Sequence, residues 1–134
     1  FDNEIMQKEK IITMFKIFKK NKYDPSSIIV LSPYKFENSI LNKMTDKIPP
    51  ISAYSVNQND KNIRFATIQS FKGLEMDHVV ILDINDISSD ENMELLFNAA
   101  TRSTYSLTIM INSKLQNLFV RRQLYTQELY QDEL

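Results

Sequence analysis

The 134-residue chain is 43% apolar and 25% charged, a composition that fits one ordinary globular domain and excludes a largely disordered chain. Sixteen Lys and Arg nearly balance seventeen Asp and Glu, and the net charge of −1 excludes a global field that draws the domain to a polyanion. Without cysteine there are no disulfides, thiolate metal sites or cysteine nucleophiles, and the apolar runs fall far short of the about 18 residues of a membrane span.

Phe1-Asp2-Asn3-Glu4 has neither an initiator methionine nor a signal-peptide pattern, so the chain is expected to be a segment of a longer, cytoplasmic protein. From residue 4 to 20, Ile11, Phe15 and Phe18 recur at i, i+4 and i+7 among lysines, which predicts a surface helix. Its basic end, Lys16, Lys19, Lys20 and Lys22, is read as complementing the helix dipole, with a nucleic-acid patch as the alternative. Asp24-Pro25-Ser26-Ser27 breaks that helix, because proline lacks the amide donor and restricts the residue before it. Residues 28–31 form a β-branched run of the kind buried on both faces of a parallel sheet. Phe36, Ile40, Leu41 and Met44 fall on one helical side, and Pro49-Pro50 ends that element.

Strands are predicted at residues 51–56, 63–68 and 79–84. Ser88-x-x-Glu91 is a capping box that opens a helix with Met93, Leu96, Phe97 and Ala100 as its buried stripe. A fifth strand is expected at 106–111, and a polar, helix-prone tail from about 113 to 134. The terminal Gln131-Asp132-Glu133-Leu134 is read as a charged end and not as a retention signal. Alternating strands and helices predict an α/β fold, a mostly parallel sheet of five or more strands flanked by helices in a single domain.

Average usage gives roughly nine glycines in a chain of this length. Here there is one, Gly73, in Thr67-Ile68-Gln69-Ser70-Phe71-Lys72-Gly73-Leu74-Glu75 between two predicted strands. Glycine there permits a positive φ or a close backbone approach, and a tight turn alone accounts for it equally well. Thr67, Gln69 and Ser70 place hydrogen-bonding groups where a parallel strand ends, and open α/β sheets bind ligands outside those carboxyl ends.

The run from Thr67 through Glu75 and on through Met76-Asp77-His78-Val79-Val80 resembles motif V of UvrD/Rep-type superfamily 1 helicases, with Gln69 where the family usually has histidine. Asn98-Ala99-Ala100-Thr101-Arg102 and the strand after it resemble motif VI of the same family. The resemblance spans roughly residues 5–112 and implies a second RecA-like domain. It further implies that Glu75 holds the ribose of ATP, that Gly73 keeps the loop near the nucleotide, and that Arg102 reaches the γ-phosphate as the catalytic arginine. Thr67, Gln69 and Ser70 would touch single-stranded nucleic acid, with DNA favoured over RNA. The arginine of motif IV has no counterpart in Ser32-Pro33-Tyr34.

Phosphoryl transfer suits an arginine at the Arg102 position, because the protein's task there is to neutralise charge on the γ-phosphoryl oxygens. At about 100° per residue Arg102 lies nearly opposite the middle of the buried stripe, free to face a partner domain. A P-loop needs two glycines, so the phosphate cradle and the Mg²⁺ ligands are expected on an upstream P-loop domain, and this chain alone is expected to be inactive. His78, the only histidine, is expected at the surface. Asp83, Asp86, Asp90 and Glu91 are read as a solvated loop and a helix N-terminus, and no metal ligand is assigned. A degenerate RecA-like docking module without an ATP cycle is the main alternative, and a doubly wound domain for a small phosphorylated ligand is a further one.

Overall fold

The computed structural model describes residues 3–56, 58–84 and 90–111. The expected 113–134 helix, the Ser88 cap and Asp86 lie outside these residues. The first helix, α1 (Glu4–Lys20), starts where Asn3 accepts a hydrogen bond from the Met6 amide at 2.9 Å, satisfying one of the amides that a helix start leaves open. Ile11, Met14, Phe15 and Phe18 form its buried face. At its far end the Lys22 amide bonds to the Lys19 carbonyl and the Tyr23 amide to the Phe18 carbonyl, a Schellman closure that puts Lys22 at φ 59°. A side chain is disfavoured there because its Cβ crowds the following carbonyl. Lys22→Gly is expected to stabilise the domain by about 0.5–1 kcal/mol, read from the urea unfolding midpoint. A lower midpoint would contradict this.

The strands are β1 (Ile28–Ser32), β2 (Ile51–Ala53), β3 (Ile63–Thr67), β4 (Met76–Ile84) and β5 (Ser103–Ile111), all parallel, in the order β2-β3-β1-β4-β5. Because side chains alternate across a strand, β1 sends Ile28 and Val30 to one face and Ile29 and Leu31 to the other, and all four are buried. On the first face they meet α1, together with Phe65 of β3 and Val80 and Leu82 of β4. On the second, with Ala66, Val79 and Ile81, they meet Met93, Leu96 and Ala99 of α2 (Asp90–Ala100). The result is a three-layer α/β sandwich with a five-stranded, all-parallel sheet flanked by helices, consistent with a RecA-like domain. Among the described residues no helix is long and apolar enough to cross a membrane.

Several boundaries differ from the sequence expectations. The predicted 36–44 helix is two 3₁₀ turns, Phe36–Asn38 and Ile40–Lys43, separated at Ser39, whose extended backbone (ψ 153°) interrupts the helix. The apolar pattern was read correctly but not its conformation: Ile40, Leu41 and Met44 are still buried against α1 and the sheet. β2 stops at Ala53, short of the predicted 56. β4 and β5 start three residues earlier than expected, because the Met76–Ser103 pairing extends both. In α2 the stripe runs through Met93, Leu96 and Ala99, leaving Phe97 and Ala100 partly exposed.

Two polar residues expected in solvent are buried. His78 is 6% exposed, its ring stacked on Tyr23 with centroids 3.8 Å apart and its Nδ1 2.7 Å from Ser106 Oγ. It pairs in the sheet with Ile28 and so faces the α1 side, where Phe18, Tyr23 and Ser106 surround it. Asp83 sits in an irregularity of β4 at φ 61° and takes three hydrogen bonds: from Ser32 Oγ and Ser39 Oγ, each at 2.6 Å, and from the Ile40 amide at 3.0 Å. It is a satisfied carboxylate at the carboxyl end of the sheet and not part of a solvated loop. On the other side of β1, Arg64 is buried with its guanidinium on Asp60 Oδ1 and the Asp60 and Asn62 carbonyls, all at 2.7 Å. The Asn62 amide holds the Asp60 carboxyl below its ordinary 3.8, so that turn keeps its charge down into acid.

Candidate functional site

β3 ends at Thr67, and the chain then crosses the α2 side of the sheet to reach the start of β4 at Met76. Its first step is closed on itself. Thr67 Oγ1 accepts from the Ser70 amide at 3.2 Å and lies 3.0 Å from Ser70 Oγ, while Ser70 Oγ donates to the Thr67 carbonyl at 3.0 Å. Ile68 and Phe71 anchor this crossover, and Phe71 is among the largest fully buried side chains of the domain. Burying those two leaves Gln69 and Lys72 exposed.

The Leu74 amide then bonds to the Phe71 carbonyl at 3.1 Å across a turn in which Gly73 adopts φ +83°. A Cβ at Gly73 would meet nothing within 4 Å. The glycine is therefore required by its backbone angle and not by a crowded neighbour.

At the other edge of the site α2 runs out at Ala100. The Asn98 carbonyl accepts from Thr101 Oγ1 at 2.8 Å and from Arg102 Nε at 3.1 Å, so Arg102 complements the helix end as any basic residue there can. Only Nε is committed: the two terminal guanidinium nitrogens make no hydrogen bond or ion pair among the described residues. The Arg102 carbonyl takes the Met76 amide at 3.0 Å, and Met76 pairs with Ser103. That bond seats Glu75 and Arg102, far apart in sequence, side by side at the entrances of adjacent strands. Glu75 is exposed.

Between the crossover and α2 lies a cleft of about 310 Å³, floored by Leu31, Phe71 and other apolar side chains and rimmed by Gln69, Lys72, Asn98 and Arg102. Its rim carries two cations and two amide side chains over an apolar floor, an arrangement suited to anionic groups on a partly apolar ligand. Residues 62–110 match the UvrD-like helicase C-terminal domain family. No curated protein matches the chain. The matched segment contains the whole crossover, β4, α2 and nearly all of β5. α1, β1 and β2 lie outside the match, yet β1 and β2 belong to the same sheet and α1 packs on it.

Within the UvrD-like segment the expected site residues divide into two groups. Thr67, Gln69 and Ser70 stand at the carboxyl end of β3, whereas Glu75 and Arg102 stand at the amino ends of β4 and β5. The cleft joins the groups by bringing Gln69 and Arg102 to one rim. The sequence reading gave no role to Lys72 or Asn98. The signals were nonetheless present: a lysine directly before the only glycine, and an asparagine four residues before Arg102, where a helix stacks side chains on one face. Among the described residues no three acidic or histidine side chains gather as a metal site.

Proposed function

We propose that this chain is the second motor domain of an ATP-dependent nucleic-acid helicase or translocase, acting on single-stranded nucleic acid with DNA favoured over RNA. In this reading Arg102 and Glu75 complete an ATP site whose phosphate cradle and Mg²⁺ ligands belong to an upstream P-loop domain of the same polypeptide. Arg102 directs its uncommitted terminal nitrogens at the γ-phosphate and Glu75 accepts from the ribose hydroxyls. Bound ATP supplies the phosphoryl group and the free energy of its transfer. This chain's share is to neutralise charge on that group and to couple the site to the strand.

The observation that carries the reading is the hydrogen bond from the Met76 amide to the Arg102 carbonyl, which sets Glu75 and Arg102 at the entrances of adjacent strands, with Arg102 on the rim of the cleft and Glu75 exposed. Gln69 shares that cleft, so a ligand-driven shift of the rim would reach the nucleic-acid group directly. Closure of the two domains on ATP and reopening after hydrolysis would then move the strand.

A second reading, a docking module without an ATP cycle, is favoured by one detail: both hydroxyl protons are committed locally, Thr67 Oγ1 donating to Ser70 Oγ and Ser70 Oγ to the Thr67 carbonyl. ATP hydrolysis by the full native polypeptide, with and without single-stranded DNA, separates the two. Stimulated turnover supports the motor, and no turnover leaves the docking module. The 134-residue chain alone is expected to show none, because one glycine cannot build a P-loop. Measurable turnover by that piece would overturn the shared-site assignment.

A further inference from the structure

On the face of the sheet opposite the cleft, three aromatic rings form a ledge at the amino ends of β4 and β5. Tyr23, directly after α1, stacks on His78 at 3.8 Å with an interplanar angle of 16°. Tyr105 of β5 meets both edge-on, with centroids 5.1 Å from His78 and 6.1 Å from Tyr23. The register between β4 and β5 shifts here: Met76 pairs with Ser103 but His78 with Ser106, so β5 holds one extra residue. Such a bulge re-aims a side chain, and it brings Tyr105 onto the same side as His78. Tyr105 is nevertheless 75% exposed, whereas the His78 ring behind it is 6% exposed. One tyrosine is thus presented to solvent on a fixed aromatic backing, and none of the site residues described above uses it.

The surroundings of the ledge are basic. Lys16, Lys19, Lys20 and Lys22 crowd the end of α1 that leads into Tyr23, all four are exposed, and none forms an ion pair among the described residues. Two exposed carboxylates border the patch. Asp24 accepts from Ser26, and Asp77 accepts from Thr104 Oγ1 at 2.8 Å, so each already holds a local donor. The local balance is positive on a domain whose net charge is −1. Lys22 also occupies the helix-closing position that favours glycine, keeping a cation next to Tyr23 at a cost in backbone strain.

From this we infer a second nucleic-acid contact, in which a base of a single strand stacks on Tyr105 while Lys19, Lys20 and Lys22 take the flanking phosphates. An exposed ring on a rigid backing with cations beside it is the combination by which single strands are bound without sequence preference. The surface lies on the α1 side, away from Thr67, Gln69, Ser70 and Arg102, and does not depend on the ATP reading.

The test uses the full native polypeptide without nucleotide. A single-stranded oligonucleotide carrying a photoactivatable halogenated uracil is cross-linked and the modified peptide mapped, and affinities are measured across a salt series. A cross-link at Tyr105 is expected. Tyr105→Ala should weaken binding by about fivefold or more, and Tyr105→Phe should restore it, because stacking needs the ring and not the hydroxyl. Changing Lys19, Lys20 and Lys22 together to Gln should flatten the slope of log affinity against log salt by about 2, at roughly 0.7 per phosphate contact. A bound oligonucleotide that cross-links only elsewhere would overturn the inference. So would Tyr105→Ala binding like the wild type, and a loss confined to the lysine variant would reduce the patch to a general anion surface, which also sinks it. Failure here leaves the ATP measurements untouched, and failure of those leaves this cross-link standing.

Discussion

Arg102→Ala in the full native polypeptide is expected to lower DNA-stimulated ATP turnover by about 10³- to 10⁵-fold, the effect of withdrawing an arginine from a γ-phosphoryl group. Under the proposed reading the side chain is free to take this role. Its Nε is held by the Asn98 carbonyl, which fixes the direction of the guanidinium, and its terminal nitrogens have no other partner among the described residues. Arg102→Lys should recover little, since an ammonium lacks the planar fork and cannot both grip Asn98 and reach out. Affinity for single-stranded DNA should change little in either variant, because the strand contacts are assigned to Thr67, Gln69 and Ser70. Equal loss of turnover and of DNA binding would sink the assignment and point to a collapsed cleft.

Asp83→Ala is expected to destabilise the domain by about 3–5 kcal/mol, a large share of the roughly 5–15 kcal/mol that holds a typical domain folded. Asp83 is the buried meeting point of three segments: β1 through Ser32, the 3₁₀ turn through Ser39 and the Ile40 amide, and β4 through its own backbone. The two serine hydroxyls also accept from the Tyr34 and Leu41 amides, so each spends its single proton on Asp83. Truncation leaves three buried donors unpaired, each costing about 1–3 kcal/mol before relaxation, and puts a Cβ without a compensating side chain at φ 61°. Asp83→Asn is the informative companion. It keeps the size and the tolerance for positive φ, but its amide group points a donor at donors, so about 1–3 kcal/mol should be lost. Urea unfolding followed by circular dichroism measures both, and an Asp83→Ala variant within 1 kcal/mol of wild type would show that the network contributes little.

The legibility of the sequence varied with how local the determining physics was. α1 was readable because its apolar spacing lies within one segment, although the closure at Lys22, and not Asp24-Pro25, ends it at Lys20. The 36–44 segment misled because its spacing suits a helix while Ser39 and the distant Asp83 capture the turn, and that capture depends on a residue 43 positions from Ile40. His78 misled for a related reason. Beside Asp77 it reads as polar surface, but the sheet pairs it with Ile28 and lays Tyr23 across it. At the site the residue types in the 67–75 run and at Arg102 were legible. Lys72 and Asn98 were passed over because only the packing of Phe71 and α2 shows that they rim the same cleft.

By itself the sequence determined the α/β class, the parallel sheet, the two-sided burial of 28–31 and the likeness to a UvrD-like helicase C-terminal domain. These follow from side-chain periodicity and from a contiguous motif, which are properties of neighbouring residues. Only the tertiary structure decided that Glu75 and Arg102 stand side by side, that Gln69 and Arg102 share a cleft, that Asp83 is a buried tie and that Tyr105 stands out on a backed ledge. Each of those depends on strand register and on which face an irregular residue turns toward. A shift of one residue in β4 or β5 reverses the facing, and register is settled by pairing and burial summed over the whole sheet and not by any local stretch of sequence.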